Sequence, residues 1–304
     1  MPAAVDSNSP GFWKDGEFRL LNSTWRGPVL TSGSSQFALT APASVQMSPI
    51  YPRPVWMESV WQDPNGLVYG WYHQEFGPCP DGSYLAVPRI GAAISYDGGN
   101  TFLDMGSVIT SGELADCGAQ NGYTAGGVGD FSVILDQQGK YFYFLYSSYS
   151  GRLENQGVCI ARMPYESRLF PNGAVQKYFR GAWSEPGMGG RESAIFPAKV
   201  AWQRADTDSY WGPSVHWNTY LGSYVILMNH SCCSPGYPQD GIFVTYNADL
   251  GDPRGWSAPL RLMDSEGWYP QVIGMEADGS DRVAGKTAQL YIAGNSQWQI
   301  VFDH

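Results

Sequence analysis

Trp56-Met57-Glu58-Ser59-Val60-Trp61-Gln62-Asp63-Pro64-Asn65-Gly66-Leu67-Val68-Tyr69-Gly70-Trp71-Tyr72-His73 reads as a strand, a tight turn and a second strand. Asp63-Pro64-Asn65-Gly66 has the residue types that close turns, and the flanking residues are those that favour strands. The pattern recurs. Residues 131–136 lead through Gln137-Gln138-Gly139 into an aromatic run ending at Tyr146, and residues 213–218 lead through Leu221-Gly222 into 223–228. Residues 270–275 lead through Asp278-Gly279 towards Gln289-Leu290-Tyr291-Ile292. Each unit carries a small polar residue, a Val, a Gly-containing turn and an apolar strand. Four-stranded propeller blades with loop insertions give this kind of spacing.

The rest of the chain is read around these repeats. No segment sustains a helical period, and Gly (37) and Pro (21) are frequent enough to punctuate many short strands. No linker or charge block separates the repeats, so residues 1–304 are read as one all-β domain, a five-bladed β-propeller with four-stranded antiparallel blades. The fifth blade must come from 192–204 or from the two termini. Residues 1–50 are irregular apart from strand-like pieces at 17–21 and 27–30, and they are expected to complete the last blade and close the ring. The long excursion 183–211, rich in aromatics and Gly, is expected to be functional.

Composition narrows the partners. The net charge is −10, and no basic stripe follows a phosphate backbone, which excludes nucleic acid. No apolar run is long enough to span a membrane. Gly126-Gly127-Val128-Gly129 precedes neither a helix nor a Lys-Ser/Thr pair, so it is not a phosphate loop. Met1 to Pro10 lacks the regions of a signal peptide, so the protein is either cytoplasmic or exported with its signal removed, and the composition favours export to the periplasm or outside the cell. Of the five Cys, Cys79 and Cys117 can pair across neighbouring loops, which suits an oxidising compartment; free thiols are the alternative.

In a propeller, the starts of inner strands and the ends of second strands meet on one face around the channel. That rule brings together Glu58, Asp130, His73, Glu75, His230 and Asn295, with Glu192 and Glu266 on loops reaching the same face. Aromatic platforms on this rim are Trp71, Trp183 and Trp268. Paired carboxylates among aromatics are what glycosidic cleavage requires: one acid protonates the leaving oxygen, and a second group attacks or activates water. The substrate implied is a plant or microbial oligo- or polysaccharide. Each candidate also has a structural reading. Asp130 can cap a loop, Glu192 can pair with Arg191, Glu266 can sit in a solvated turn, and His73 can be a satisfied structural histidine. His216 falls at a packed inner-strand position rather than at a metal site. No metal ligand set is assigned and no cofactor is required, although a channel Ca2+ can be accommodated.

An acidic residue opening the first inner strand, another opening a later one, and Glu266-Gly267-Trp268-Tyr269-Pro270 before the fourth together resemble the five-bladed propeller glycosidases. These are the arabinanase and β-xylosidase group and related fructosidases. The resemblance implies a base, a tuning carboxylate and an acid on different blades. Carried over by position, Glu58 is the base or nucleophile, Asp130 the tuning carboxylate, and Glu266 or Glu192 the acid. The first acidic residue is Glu where that group carries Asp.

Ser95-Tyr96-Asp97-Gly98-Gly99-Asn100-Thr101-Phe102 resembles the sialidase Asp-box, in which Asp97 would cap an outer hairpin rather than act chemically. A sialidase reading would recruit Arg53, Arg89 and Arg191. The remaining alternatives are a non-catalytic glycan-binding propeller and a metal-dependent hydrolase gathering Glu58 and His216 on one ion. Gly-x-Ser-x-Gly, the mark of a serine nucleophile, is absent.

Overall fold

The computed structural model describes residues 5–51, 54–80 and 83–303. They form five sheets in chain order, the five blades of a β-propeller. Among the described residues there is no α-helix, hence none long and apolar enough to cross a membrane.

Blade 1 comprises Gly11–Lys14, Glu17–Thr24, Gly27–Gly33 and Ala43–Ser44. Blade 2 runs Val55–Gln62, Val68–Phe76, Val87–Ser95 and Thr101–Ile109, with Gln46–Ser48 added in parallel to its outer strand. Blade 3 starts with Val128–Leu135, Tyr141–Ser148 and Gly157–Pro164 and is finished by Gln176–Phe179 and Ala182–Pro186. Blade 4 comprises Ser209–Asn218, Ser223–Ser231, Gln239–Asn247 and Leu260–Met263. Blade 5 has Gln271–Gly274, Thr287–Ile292 and Asn295–Val301.

The opening hairpin forms as its residues dictate. Asp63 Oδ1 accepts the amide of Asn65, the Gly66 amide bonds to the Asp63 carbonyl at 2.8 Å, and Gly66 takes φ +89°. The turn at Asp97 is built similarly: its Oδ1 accepts the amides of Asn100 and Thr101, while Phe102 is fully buried.

Apolar layers between successive blades hold the ring. Trp71 packs on Phe142 and Phe144 between blades 2 and 3, and Tyr143 and Leu145 meet Ile226 and Met228 between blades 3 and 4. The layer between blades 5 and 1 is Phe18, Leu20, Ile273 and Tyr291. This last layer corrects the expected closure. Among the described residues, 5–50 add no strand to the last blade. Their strands from Gly11–Lys14 to Ala43–Ser44 form a sheet of their own, the missing fifth blade, while Gln46–Ser48 joins blade 2, and the last sheet draws its three strands from the C-terminal part. The ends are joined by side-chain packing and by bonds such as Ser9 N to Gln271 Oε1 at 2.6 Å and Gly11 N to Asp281 Oδ1 at 2.8 Å. Two sheets pressed face to face bury apolar area without requiring a shared strand.

Candidate active site

A cavity of about 340 Å³ opens where the inner strands begin, within the usual size range of small-ligand sites. Asp6, His73, Glu75 and Asp130 line it together with Trp56, Tyr149, Trp202, Trp211, Tyr237, Trp268 and Tyr269.

β-Bulges aim the acidic groups. The pairing of Val55–Gln62 with Val68–Phe76 slips between Met57 and Ser59, and that of Val128–Leu135 with Tyr141–Ser148 slips between Gly129 and Phe131. Glu58 and Asp130 are the extra residues, each released from the ladder. Asp130 sits at φ +42°, and the neighbouring wall residues Tyr237 and Tyr269 have φ of +60° and +53°. Such backbones are costly for non-glycine residues and tend to cluster at functional sites.

Both oxygens of Asp130 are oriented: Tyr149 donates its hydroxyl to Oδ2, and Tyr269 donates to Oδ1 at 3.0 Å. Beneath it, His73 Nδ1 lies 3.1 Å from Glu58 Oε1 and 3.6 Å from Asp130 Oδ1, while Nε2 faces Glu75 at 3.6 Å. Glu58 Oε2 accepts the Phe131 amide at 3.0 Å. Burial raises the Glu58 carboxyl to about 7, more than its hydrogen bonds to His73 and Phe131 lower it. Burial alone would push His73 down, but the carboxylates of Glu58, Glu75 and Asp130 outweigh it and hold the imidazole well above its ordinary value. Both shifts favour the protonated forms, and the Asp130 amide also approaches His73 Nδ1, at 3.2 Å. Gly129 is required here, because a Cβ would stand 2.6 Å from His73 Cε1.

Asp6, exposed, precedes the first strand and lines the cavity. The surrounding protein, and then the charges of Asp130 and Glu75, raise its carboxyl to about 6. It shares the cavity wall with Asp130, whose charge acts on it, and is the lining carboxyl raised towards neutrality.

The structure thus brings together Glu58, Asp130, His73, Glu75 and Trp268. Glu58, 1% exposed, does not line the cavity; its carboxylate meets His73 Nδ1 and the Phe131 amide. Asp130 faces the cavity directly. Glu192 lies outside it, with Ser148 Oγ donating to it at 2.8 Å and Lys177 Nζ at 2.6 Å. Glu266 is exposed on the loop after Leu260–Met263 and is not part of the wall.

Trp71 is buried in the layer between blades 2 and 3, because mid-strand side chains of a propeller face the neighbouring blade; only strand ends reach the channel. Trp183 is on an outer strand, edge-on to Tyr143. His230 is held between Asp208 at 2.9 Å and Asp240 at 2.8 Å, under Tyr210, away from the cavity. Asp6, Tyr149, Trp202 and Tyr237 were missed, whereas Tyr269 opens the fourth inner strand and falls under the strand-end rule. The strand-end rule itself points to Tyr149, which follows Tyr141–Ser148, and the excursion 183–211 supplies Trp202.

Arg89 donates to Gln74 at 2.8 Å and Arg191 to Glu185 at 2.8 Å, and neither lines the cavity. Arg53 falls outside the described residues. His216 is buried against Phe302, and burial lowers it to about 3, apart from Glu58. Glu58, His73 and Asp130 present ligand atoms close enough to share an ion. Calcium takes six to eight oxygen ligands, and two carboxylates with a nitrogen do not fit it.

No family model and no curated protein sequence matches the chain. Solved structures do. A putative exo-β-1,3-galactanase from Bifidobacterium bifidum superposes with a TM-score of 0.60 at 13% identity, over 99% of this chain and 89% of that one. The family 43 glycoside hydrolase YxiA of Bacillus licheniformis gives 0.58 at 15% identity, covering 98% and 71%. An exo-β-1,3-galactanase from Phanerochaete chrysosporium, crystallised with β-1,3-galactotriose, gives 0.53 at 14% identity over 94% of this chain. This chain spans 56% of the length of the Phanerochaete enzyme. What the likeness establishes at such identity is the fold, a five-bladed β-propeller of the kind found in family 43 glycoside hydrolases.

Proposed function

We propose that the protein hydrolyses glycosidic bonds in a neutral oligo- or polysaccharide, with Asp6 and Asp130 as the reacting carboxylates. The observation that carries this reading is one cavity holding a carboxyl raised to about 6, a second carboxylate fixed by two phenols, and a wall of Trp and Tyr.

In this reading Asp6 gives its proton to the departing oxygen. Asp130, oriented by Tyr149 and Tyr269, attacks the anomeric carbon or takes a proton from water, the two courses that a carboxylate pair allows. The Glu58–His73 pair lies under the Asp130 backbone, whose amide stands 3.2 Å from His73 Nδ1, and limits its motion. Among the described lining residues no Lys or Arg offers a counter-ion, which disfavours sialosides and uronides. The galactotriose bound by the Phanerochaete enzyme makes β-1,3-galactan the first substrate to try.

The test is hydrolysis of β-1,3-galactotriose and of p-nitrophenyl β-galactoside, β-xyloside and α-arabinofuranoside by wild type and Asp130→Asn. The reading expects cleavage of at least one substrate and a loss of about a thousandfold in the variant. Cleavage that survives the substitution, or none by wild type, contradicts it.

A further inference from the structure

The wall of the cavity between blades 2 and 3 is built from two loops, and the catalytic reading leaves it unexplained. The first, 77–86, is described at 77–80 and 83–86 and carries Tyr84. The second, 110–127, joins the two blades and carries Tyr123. A connection as long as the second is uncommon in compact folds unless it serves a function.

These two are fastened together. Cys79 and Cys117 form a disulfide with their Cα atoms 5.5 Å apart. Ala86 N donates to Tyr123 O at 2.9 Å, and Ala125 N donates to Ala86 O at 2.8 Å. Asn121 Oδ1 accepts the amides of Tyr123 and Thr124, and its Nδ2 donates to the carbonyl of Trp202 in the opposite wall.

Tyr123 is thereby fixed half-exposed, edge-on to Tyr237 at 5.1 Å and Trp268 at 5.8 Å. Tyr84 lines the same cavity yet is 94% exposed. A large aromatic left in water, between the disulfide at Cys79 and the two-bond bridge at Ala86, gains no folding energy from burial. It is a preorganised contact surface, and the aromatic floor runs from Tyr269 beside Asp130 through Trp268 and Tyr123 towards it.

We propose that the stapled loops form a second sugar subsite, in which Tyr84 and Tyr123 receive the ring next to the one held at Asp130. This rests on the glycan-cleaving reading and sharpens it: the substrate is an oligosaccharide or polysaccharide, and affinity rises with chain length.

The experiment is calorimetric binding to the Asp130→Asn protein, which removes turnover. The probes are galactose with β-1,3-galactotriose, xylose with xylotriose, and arabinose with arabinotriose. At least one trisaccharide binds tenfold or more tightly than its monosaccharide. Adding Tyr84→Ala shrinks that ratio about five- to tenfold, in keeping with one aromatic platform. The Cys79→Ser, Cys117→Ser pair shrinks it in the same direction, since it frees the loop that holds the platform.

No length dependence for any sugar, or a Tyr84→Ala effect that is equal on short and long ligands or absent from both, overturns the subsite. Length-dependent binding by a wild-type protein that cleaves nothing removes the catalytic reading and leaves the subsite standing. Cleavage without length dependence does the reverse.

Discussion

Glu58 and Glu192 are both almost wholly buried, at 1% and 4% exposure, and both face a basic side chain. Glu192 meets Lys177, whose three ammonium hydrogens go to Glu192, to the carbonyl of Thr110 at 2.9 Å and to that of Gly190 at 2.7 Å. That pair is closed: each charge is compensated and nothing else competes for it. Glu58 meets His73, which also faces Glu75 and Asp130 and lines a cavity. That pair is open. Burial of an acid therefore does not mark a site; a titratable partner shared with further acids at the edge of a cavity does.

The comparison can be broken by exchanging what each acid controls. Glu192→Gln leaves the Lys177 charge buried and unbalanced, so a loss of about 3–5 kcal/mol in unfolding free energy is expected by chemical denaturation. Molecules that remain folded cleave at the wild-type rate. Glu58→Gln should do the opposite: cleavage slows about a hundredfold through misplacement of His73 and Asp130, while the stability change stays well below that of Glu192→Gln. The His73 titration, followed by NMR, moves down because its strongest raising partner is gone. A Glu58→Gln protein with full activity and lost stability would place Glu58 beside Glu192 after all. Gly129→Ala forces a Cβ to 2.6 Å from His73 Cε1 and 2.9 Å from Nδ1, a clash worth about 1–3 kcal/mol in thermal unfolding.

Acidity sharpens the same contrast with the smallest effect. Glu58 rises from 4.5 to about 7 and Asp6 from 3.8 to about 6, and His73 also rises on folding. The folded protein thus binds protons more tightly than the unfolded chain at all three. Their contribution is full below the unfolded values and is lost as pH increases through the folded ones. Stability measured by urea unfolding should fall between about pH 5 and pH 8, and the slope should be shallower in Glu58→Gln.

The architecture was legible because each hairpin repeats a turn that only certain residues close, as at Asp63-Pro64-Asn65-Gly66. The strand-end rule then gathered Glu58, His73, Glu75, Asp130 and Trp268 without any three-dimensional information. Asp6 was hidden because blade 1 was read as irregular; once Gly11–Lys14 is recognised as an inner strand, the residues before it fall under the same rule. Glu58 was expected at the channel and lies just under it, since a bulge decides whether such a residue faces the channel or sits beneath it. The paths of the loops carrying Trp202 and Tyr237 depend on tertiary contacts that no periodicity encodes. Trp71 and Trp183, expected at the rim, lie instead in the layer between blades 2 and 3 and on an outer strand.

The division of labour between Asp6 and Asp130 is the central claim, and leaving-group dependence tests it most directly. The measurement is kcat/KM of Asp6→Asn relative to wild type on a 2,4-dinitrophenyl glycoside, whose phenolate departs unprotonated, and on a trisaccharide of the same sugar, whose leaving oxygen needs a proton. The account predicts a loss of about a hundredfold or more on the trisaccharide and a far smaller one on the dinitrophenyl substrate. Equal losses on both would contradict Asp6 as the proton donor.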